Sequence, residues 1–347
     1  MSNTINKKRS MQRLTTFTFL FALSWLTFSD ESLPADKPHN DTQVETENLS
    51  NKELRQMSLP TISEDVEGEP EIESEKALTQ VIERKQILEE KAIKIPFVIL
   101  PHRPNYIMPV SYTQSPHDDE IKEALGDSWP GYSNVEAMFQ ISLKYQVHQF
   151  DKENKNRLYV AYTNKSFWQV YSEKISRPFR ETNHEPELFL QLTPNWGYIN
   201  QVTLSLNHQS NGQFQRFSRS WNRIIAGFYH RSGSSVYGLE PWWRIPETDK
   251  ADPNDPTDND NPDIHKYLGY GSFIWYKKVG QESLLFRFGN NLNPDENRGW
   301  GELEFTFPLG RRFLGFVQYY EGYGHSLIEY NQYQRRIGIG LKISDYL

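Results

Sequence analysis

From about Val135 onward, apolar and polar positions alternate with a period of two, the signature of strands with one apolar face. In one segment Val202, Leu204 and Leu206 share a face and Thr203, Ser205 and Asn207 share the other. In another, Ile337, Ile339 and Leu341 alternate with Gly338, Gly340 and Lys342. The pattern predicts strands over 136–148, 157–170, 184–193, 199–210, 218–230, 235–245, 265–277, 282–290, 299–307, 311–321 and 334–343. Each is ~10 residues, the length a tilted strand needs to cross a bilayer. Turn signals such as Asn291–Pro294 and Pro308–Gly310 fall between them. Single-chain bacterial barrels carry an even number of strands, so a twelfth is expected. The best candidate is Tyr106–Thr113, whose neighbourhood holds Pro104 and Pro109. The expected fold is all-β: a 12-stranded antiparallel transmembrane β-barrel.

The pattern differs upstream. Lys7, Lys8, Arg9 and Arg13 precede an apolar run from Leu14 to Phe28, which predicts a signal peptide over 1–29 with Thr27 and Ser29 near the cut. Residues 30–70 are rich in Asp, Glu, Asn, Ser, Thr and Pro and are expected to be mostly disordered. Glu71–Lys91 carries Ile72, Leu78, Ile82 and Leu88 among charges, a helical pattern. The expected division is therefore a leader (1–29), an acidic, partly helical extension (30–95) and a barrel domain (96–347).

Composition sharpens this reading. The 347 residues hold 9 Trp, 19 Tyr and 20 Phe, yet mean hydropathy is -0.73. Strands apolar on one face, aromatic girdles and long polar loops would give that combination. Trp168, Trp221, Trp242, Trp243, Trp275, Trp300, Tyr319 and Tyr320 lie near predicted strand ends. The absence of cysteine excludes disulfides, thiolate metal sites and thiol catalysis. A net charge of -7 argues against nucleic acid as a partner.

Candidate chemistry sits in Asn207-His208-Gln209-Ser210-Asn211-Gly212 and in Ser218-Arg219-Ser220-Trp221-Asn222-Arg223. His208 and Ser210 are two apart, so on a strand they point the same way, as a base and its nucleophile require. A hairpin centred on Gln215 places Asn222 opposite His208, where its amide can orient the imidazole. His208 and Ser210 continue the face of Leu204 and Leu206. Asn222 continues that of Ile224, Ala226 and Phe228, while Arg219, Trp221 and Arg223 point the other way. In a barrel the apolar face meets lipid, so a triad there would have membrane lipids as its substrates. On spacing alone, a polar strand end without catalysis stays open, and with it a non-enzymatic porin or adhesin.

These segments resemble outer-membrane phospholipase A, a calcium-dependent bacterial barrel enzyme. The resemblance extends to Ser176-Arg177-Pro178-Phe179-Arg180-Glu181-Thr182-Asn183-His184-Glu185-Pro186, to Asn261-Pro262-Asp263-Ile264 and to Gly322-Tyr323-Gly324-His325-Ser326-Leu327-Ile328, within roughly 105–347. It implies hydrolysis of sn-1 and sn-2 esters of phospholipids and lysophospholipids in the outer membrane. Ser210 would be the nucleophile, His208 the base, Asn222 the orienting residue and Gly212 an oxyanion donor through its backbone N–H. It implies Ca²⁺ held by the Ser218 hydroxyl, the Gln213 carbonyl and Ser176 from a second subunit, with an active homodimer and an inactive monomer. Asp260 would serve a second calcium site, for which Gln213, Phe214 and Gln215 lack the acid often found there. Asn164 matches a dimer contact. Two further motifs are set aside: His325-Ser326 are adjacent, so on a strand they would face opposite ways, and Asp249–Asp263 lacks the Gly and distal Glu of an EF-hand.

Overall fold

The computed structural model describes residues 70–95, 97–116, 118–150, 156–194, 196–248, 259–310 and 312–345. The expected leader and most of the acidic extension lie outside these residues.

Twelve strands form one closed antiparallel sheet. They are β1 (Asn105–Thr113), β2 (Val135–Gln149), β3 (Arg157–Trp168), β4 (Phe179–Leu192), β5 (Gln201–Ser210), β6 (Ser220–Ser232), β7 (Ser235–Arg244), β8 (Gly271–Val279), β9 (Glu282–Asn290), β10 (Gly299–Leu309), β11 (Phe313–Gly322) and β12 (Gln334–Ser344). Each pairs with its sequence neighbours, and β12 closes on β1 through pairs such as Ile337 with Tyr112. The proline-containing segment is thus the twelfth strand, with a register shift between Met108 and Ser111 on its β2 side that accommodates Pro109. Leu100–Pro101 continues the pairing along β2, opposite Lys144 and Leu143. Closure leaves no backbone edge to be satisfied by lipid.

Two boundaries differ from the sequence expectation by more than two residues. Strand β4 begins at Phe179, five residues before 184, because Arg180 and Glu181 point inward into ion pairs and hydrogen bonds rather than ending the strand. The stretch from 265 starts as a one-turn helix, α3 (His265–Leu268), and β8 begins only at Gly271. Ile264 and Leu268 there pack with Trp221, Leu327 and Tyr330 over one end of the barrel, which to a periodicity argument looks like half a strand. The aromatics near strand ends divide between the two faces. Trp243 and Tyr319 face outward, but Trp221 is fully buried and Tyr320 nearly so, both turned inward.

Inside and outside follow the alternation. On β5, Leu204 and Leu206 are about half exposed, while Ser205 and Asn207 are buried. The interior is polar and paired. Arg180 and Arg336 meet Glu136, Arg103 meets Glu185 and Glu187, Arg223 meets Glu185, and Lys342 meets Glu304. Buried charges need partners of this kind.

The two barrel ends are unlike. One has tight turns, such as those joining Ser232 to Ser235 and Val279 to Glu282, where Gly233 and Gly280 take positive φ. The other carries the long connections 114–134, 169–178, 211–219, 245–270 and 323–333. The first of these holds α2 (Asp119–Leu125). Short turns face the periplasm and long loops the exterior in outer-membrane barrels.

The expected helix is α1 (Pro70–Lys94), slightly longer than its sequence signature. Proline at its first position and Glu71 and Glu73 in its first turn suit a helix start. Its inward stripe is Ser74, Leu78, Ile82, Lys85 and Glu89, spaced three or four apart. Leu78 is fully buried against Val236, Ile274, Tyr276 and Leu285. Glu71 accepts from Ser234 at 2.6 Å, and Ser74 Oγ accepts the Gly280 N–H at 3.0 Å. At the other end Glu89 receives Lys144 at 2.6 Å and Arg157 at 2.8 Å. The helix rises roughly 1.5 Å per residue, enough to run from the β6–β9 turns to the β2–β3 side across the short-turn mouth.

Candidate active site

Strands β5 and β6 carry the candidate triad at their long-loop ends. Their register sets Leu206 opposite Ile224, His208 opposite Asn222 and Ser210 opposite Ser220. His208 and Asn222 therefore face each other as the hairpin parity predicts. Asn222 Oδ1 lies 2.8 Å from His208 Nδ1, a hydrogen bond in which the ring N–H donates and the amide oxygen accepts. Ser210 shares their outward face, and all three are partly buried. Ser210 makes no side-chain hydrogen bond among the described residues. Resting sites often leave that contact open until substrate closes it.

The lumen side holds this geometry in place. Asn207 and Arg223 are the register pair directly behind the triad. Arg223 Nη2 donates to Asn207 Oδ1 at 2.8 Å, and Asn207 Nδ2 donates to Glu185 at 2.8 Å. Arg103 also reaches Glu185, at 2.7 Å. One step along, Trp221 Nε1 donates to Gln209 at 2.8 Å, and the Arg223 guanidinium lies over the Trp221 ring at 4.0 Å. A slip of one residue would turn these charges into lipid, so the lumen network protects the outer-wall register.

The loop after Ser210 is stapled by Asn211, a buried residue that its sequence pattern does not single out. Its amide donates to the Phe217 carbonyl at 2.9 Å, and its oxygen accepts the Arg219 N–H at 2.9 Å and the Gln213 N–H at 3.3 Å. That staple folds 211–219 back over the strand end. Gly212 sits at its tip with φ +63°, a conformation glycine adopts without strain. Its N–H is given to no partner among the described residues.

Of the residues expected around calcium, Gln213 and Ser218 lie in this loop, and Asp260 reaches Ser218 from the β7–β8 connection. Ser218 Oγ donates to Asp260 Oδ2 at 2.7 Å, and Ser220 Oγ donates to the same atom at 3.1 Å. Gln213 is exposed, one residue beyond Gly212. Ser176 is exposed on the loop between β3 and β4, where Arg177 takes positive φ. Hydroxyl, carboxylate and carbonyl oxygens of this kind are hard donors that suit Ca²⁺. Among the described residues no cluster of three or more His, Cys, Asp or Glu could hold a metal.

Asn164 faces outward with the exposed Val160 and Tyr162 rather than into the lumen. It pairs across to His184, which pairs to Ser210, which pairs to Ser220. These four polar residues form a row across β3–β6 on the outer wall. Tyr162 Oη lies 2.6 Å from His184 Nδ1, and Asn164 Nδ2 lies 3.5 Å from it. His325 and Ser326 are buried in the connection between β11 and β12, outside any strand. Of the Asp-rich stretch, 249–258 lies outside the described residues.

One further contact lay beyond the reach of the sequence. Asn222 Nδ2 donates to Glu247 Oε1 at 2.8 Å, and Glu247 in turn pairs with Arg244 at 3.2 Å.

Comparison with known proteins agrees with this architecture. The phospholipase A1 family model matches residues 82–343. The phospholipase A1 of Klebsiella pneumoniae is 35% identical over 259 residues, covering 72% of this chain and 84% of that protein. The structure of outer membrane phospholipase A from Escherichia coli superposes with a TM-score of 0.65 at 32% identity, over 73% of this chain and 94% of that one. A Salmonella typhi outer membrane phospholipase, solved as a dimer with bound calcium, gives 0.67 at 31% identity, over 76% and 99%. With twelve strands closed as a barrel and this likeness over about three quarters of its length, the chain belongs to the phospholipase A1 family and is an outer-membrane phospholipase.

Proposed function

We propose that this phospholipase hydrolyses sn-1 and sn-2 acyl esters of phospholipids and lysophospholipids through Ser210, His208 and Asn222, and that it needs calcium and a second copy of itself to do so. The observation that carries the reading is the 2.8 Å contact between His208 Nδ1 and Asn222 Oδ1, with Ser210 two residues from His208 on the same outward face.

Ser210 Oγ attacks the ester carbonyl while His208 Nε2 takes its proton. Asn222 holds the Nδ1–H tautomer, which leaves Nε2 free to accept. The oxyanion that forms is met by the Gly212 N–H. As the C–O bond breaks, His208 returns the proton to the leaving alcohol. The acyl group stays on Ser210 until water, deprotonated by His208, attacks it and releases the fatty acid. Because Asn222 is neutral, it fixes the ring without adding charge, unlike an aspartate.

Ser218 and the Gln213 carbonyl would hold calcium, with Ser176 from the partner subunit, and Asp260 would serve a second site. When bound, the ion supplies positive charge beside the developing oxyanion. Homodimerisation finds support in the polar row Asn164–His184–Ser210, which on a monomer faces lipid. A partner there would cover those groups and complete the calcium ligands, so that the monomer is inactive. Residues 1–29 are proposed as a cleaved leader, 30–95 as an extension and 96–347 as the catalytic barrel.

The test measures fatty-acid release from phospholipid micelles, with calcium or chelator, for the wild type and Ser210→Ala. Loss of at least roughly 10³-fold in the variant supports the nucleophile. Equal rates would refute it. Activity that persists undiminished on dilution to monomer would refute the dimer requirement.

A further inference from the structure

Asn222 can orient His208 in two ways. Its amide presents either the oxygen or the NH₂ to the ring, depending on a 180° turn about its last bond. With the oxygen forward, the ring is held with hydrogen on Nδ1 and a lone pair on Nε2. With the NH₂ forward, Nδ1 must accept, hydrogen moves to Nε2, and the ring can no longer take the serine proton. An aspartate would not have this ambiguity. Something must choose for Asn222.

We propose that Glu247 is the positioning residue that makes this choice, extending the triad to a chain of four: Ser210, His208, Asn222 and Glu247. The proposal rests on the Ser210–His208–Asn222 reading above. Glu247 Oε1 accepts Asn222 Nδ2 at 2.8 Å. Its other oxygen faces Arg244 Nη2 at 3.2 Å. A carboxylate offers only acceptors, so it requires the NH₂ end of Asn222, and the oxygen end is left for His208.

The placement of Glu247 is built into the wall. Arg223 pairs with Arg244 at the last rung between β6 and β7. One residue on, the Ile245 N–H still donates to the Asn222 carbonyl at 2.8 Å. The chain past β7 thus stays alongside Asn222, and Glu247 follows two residues later. Arg244 anchors it from behind, donating to the Asn261 carbonyl at 2.8 Å and to the Asn259 side chain. Asn261 Oδ1 accepts the Ser220 N–H at 3.0 Å. Glu247 is therefore tied to the same turn that brings Asp260 to Ser218 and Ser220.

This arrangement also accounts for an amide, rather than an acid, as the third member. An aspartate at 222 would set two carboxylates against each other at hydrogen-bond distance, and one would have to hold a proton. Asparagine donates to Glu247 and accepts from His208 at once.

The test uses the full-length enzyme in micelles at saturating calcium, with kcat and KM measured separately and barrel folding followed by heat-modifiable gel migration. Glu247→Leu is expected to lower kcat about tenfold, the effect of losing one charged hydrogen bond, with KM unchanged. Glu247→Gln is expected to recover little of that loss, because Arg244 takes its one oxygen and its NH₂ then faces Asn222. Asn222→Asp alone is expected to be severely impaired, and Asn222→Asp combined with Glu247→Gln to regain at least about tenfold, because glutamine donates to the new acid. In an Asn222→Ala background, Glu247→Leu adds no further loss. Multiplying losses in that background, or failure of Glu247→Gln to improve folded Asn222→Asp, would overturn the proposal. Ser210→Ala separates the two readings. If it retains full activity, the triad itself falls. If it abolishes activity while the Glu247 variants leave kcat unchanged, only the role of Glu247 falls.

Discussion

His208 and Asn222 face each other across β5 and β6, 2.8 Å apart, on the side of the wall that meets lipid. Neither strand places this pair alone. The rung is fixed by Asn207 and Arg223 behind it, so an outward polar contact depends on inward packing.

Removing the orienting amide tests that contact. Asn222→Ala is expected to lower kcat by about ten- to a hundredfold, the equivalent of ~1.5–3 kcal/mol for a hydrogen bond to a group that becomes charged. KM for phospholipid in mixed micelles should stay within about twofold. A fall in affinity with kcat intact would show that Asn222 binds lipid instead.

The lumen network should be felt outside the barrel. Glu185→Ala strips Arg103, Asn207 and Arg223 of a shared acceptor. Removing one partner of a buried ion pair costs about 3–5 kcal/mol. The thermal midpoint in detergent should drop, and kcat should drop with it although Glu185 never touches substrate. Unchanged activity in a destabilised barrel would mean that the β5–β6 register does not depend on this acid.

Calcium dependence should pass through Ser218 and Asp260. Ser218→Ala removes a hydroxyl that lies 2.7 Å from Asp260. It is expected to raise the calcium concentration for half-maximal activity by about tenfold or more, since a lost ligand weakens an oxygen-only site. Asp260→Asn should do the same more weakly if it serves a second site. An unchanged calcium titration for Ser218→Ala would remove that residue from the ligand set.

Acid should release the helix α1. Burial pushes the Glu89 carboxyl up, but the charges of Lys144, Lys85 and Arg157 outweigh it and hold the group below its ordinary value of 4.5. A lowered folded value means that docking is fully stabilised above that ordinary value and is lost as pH falls through the lower one. The protection of the 78–90 amides, corrected for intrinsic exchange, should therefore fall below about pH 4 in the wild type. In Glu89→Gln it should already be low at neutral pH. Equal protection in both proteins would mean that the carboxyl does not hold the helix.

Much of this was legible because a barrel converts parity into direction. The alternation of Leu204, Leu206 and His208 fixed which way the candidate triad points, and a hairpin count placed Asn222 opposite His208. Less legible were contacts between residues that no period links. Glu247 lies 25 residues from its partner Asn222, and nothing in its own segment marks it. Asn211 reads as part of a motif, yet its work is to staple a loop. Leu268 reads as a strand residue because apolar spacing over a few positions does not separate a strand from one helical turn. Trp221 is the easier case: parity with Arg219 and Arg223 turns it away from lipid, and it is fully buried.

The strap formed by α1 bears on what the barrel can conduct. Glu71, Leu78 and Glu89 fasten it across the short-turn mouth, and beyond it the lumen is crossed by Arg180, Arg336, Lys342 and their glutamates. A solute entering from that side would have to displace buried ion pairs that gain nothing from it in return. The inside is thus given over to ion pairs and the strap, and the surface that faces lipid is the circumference.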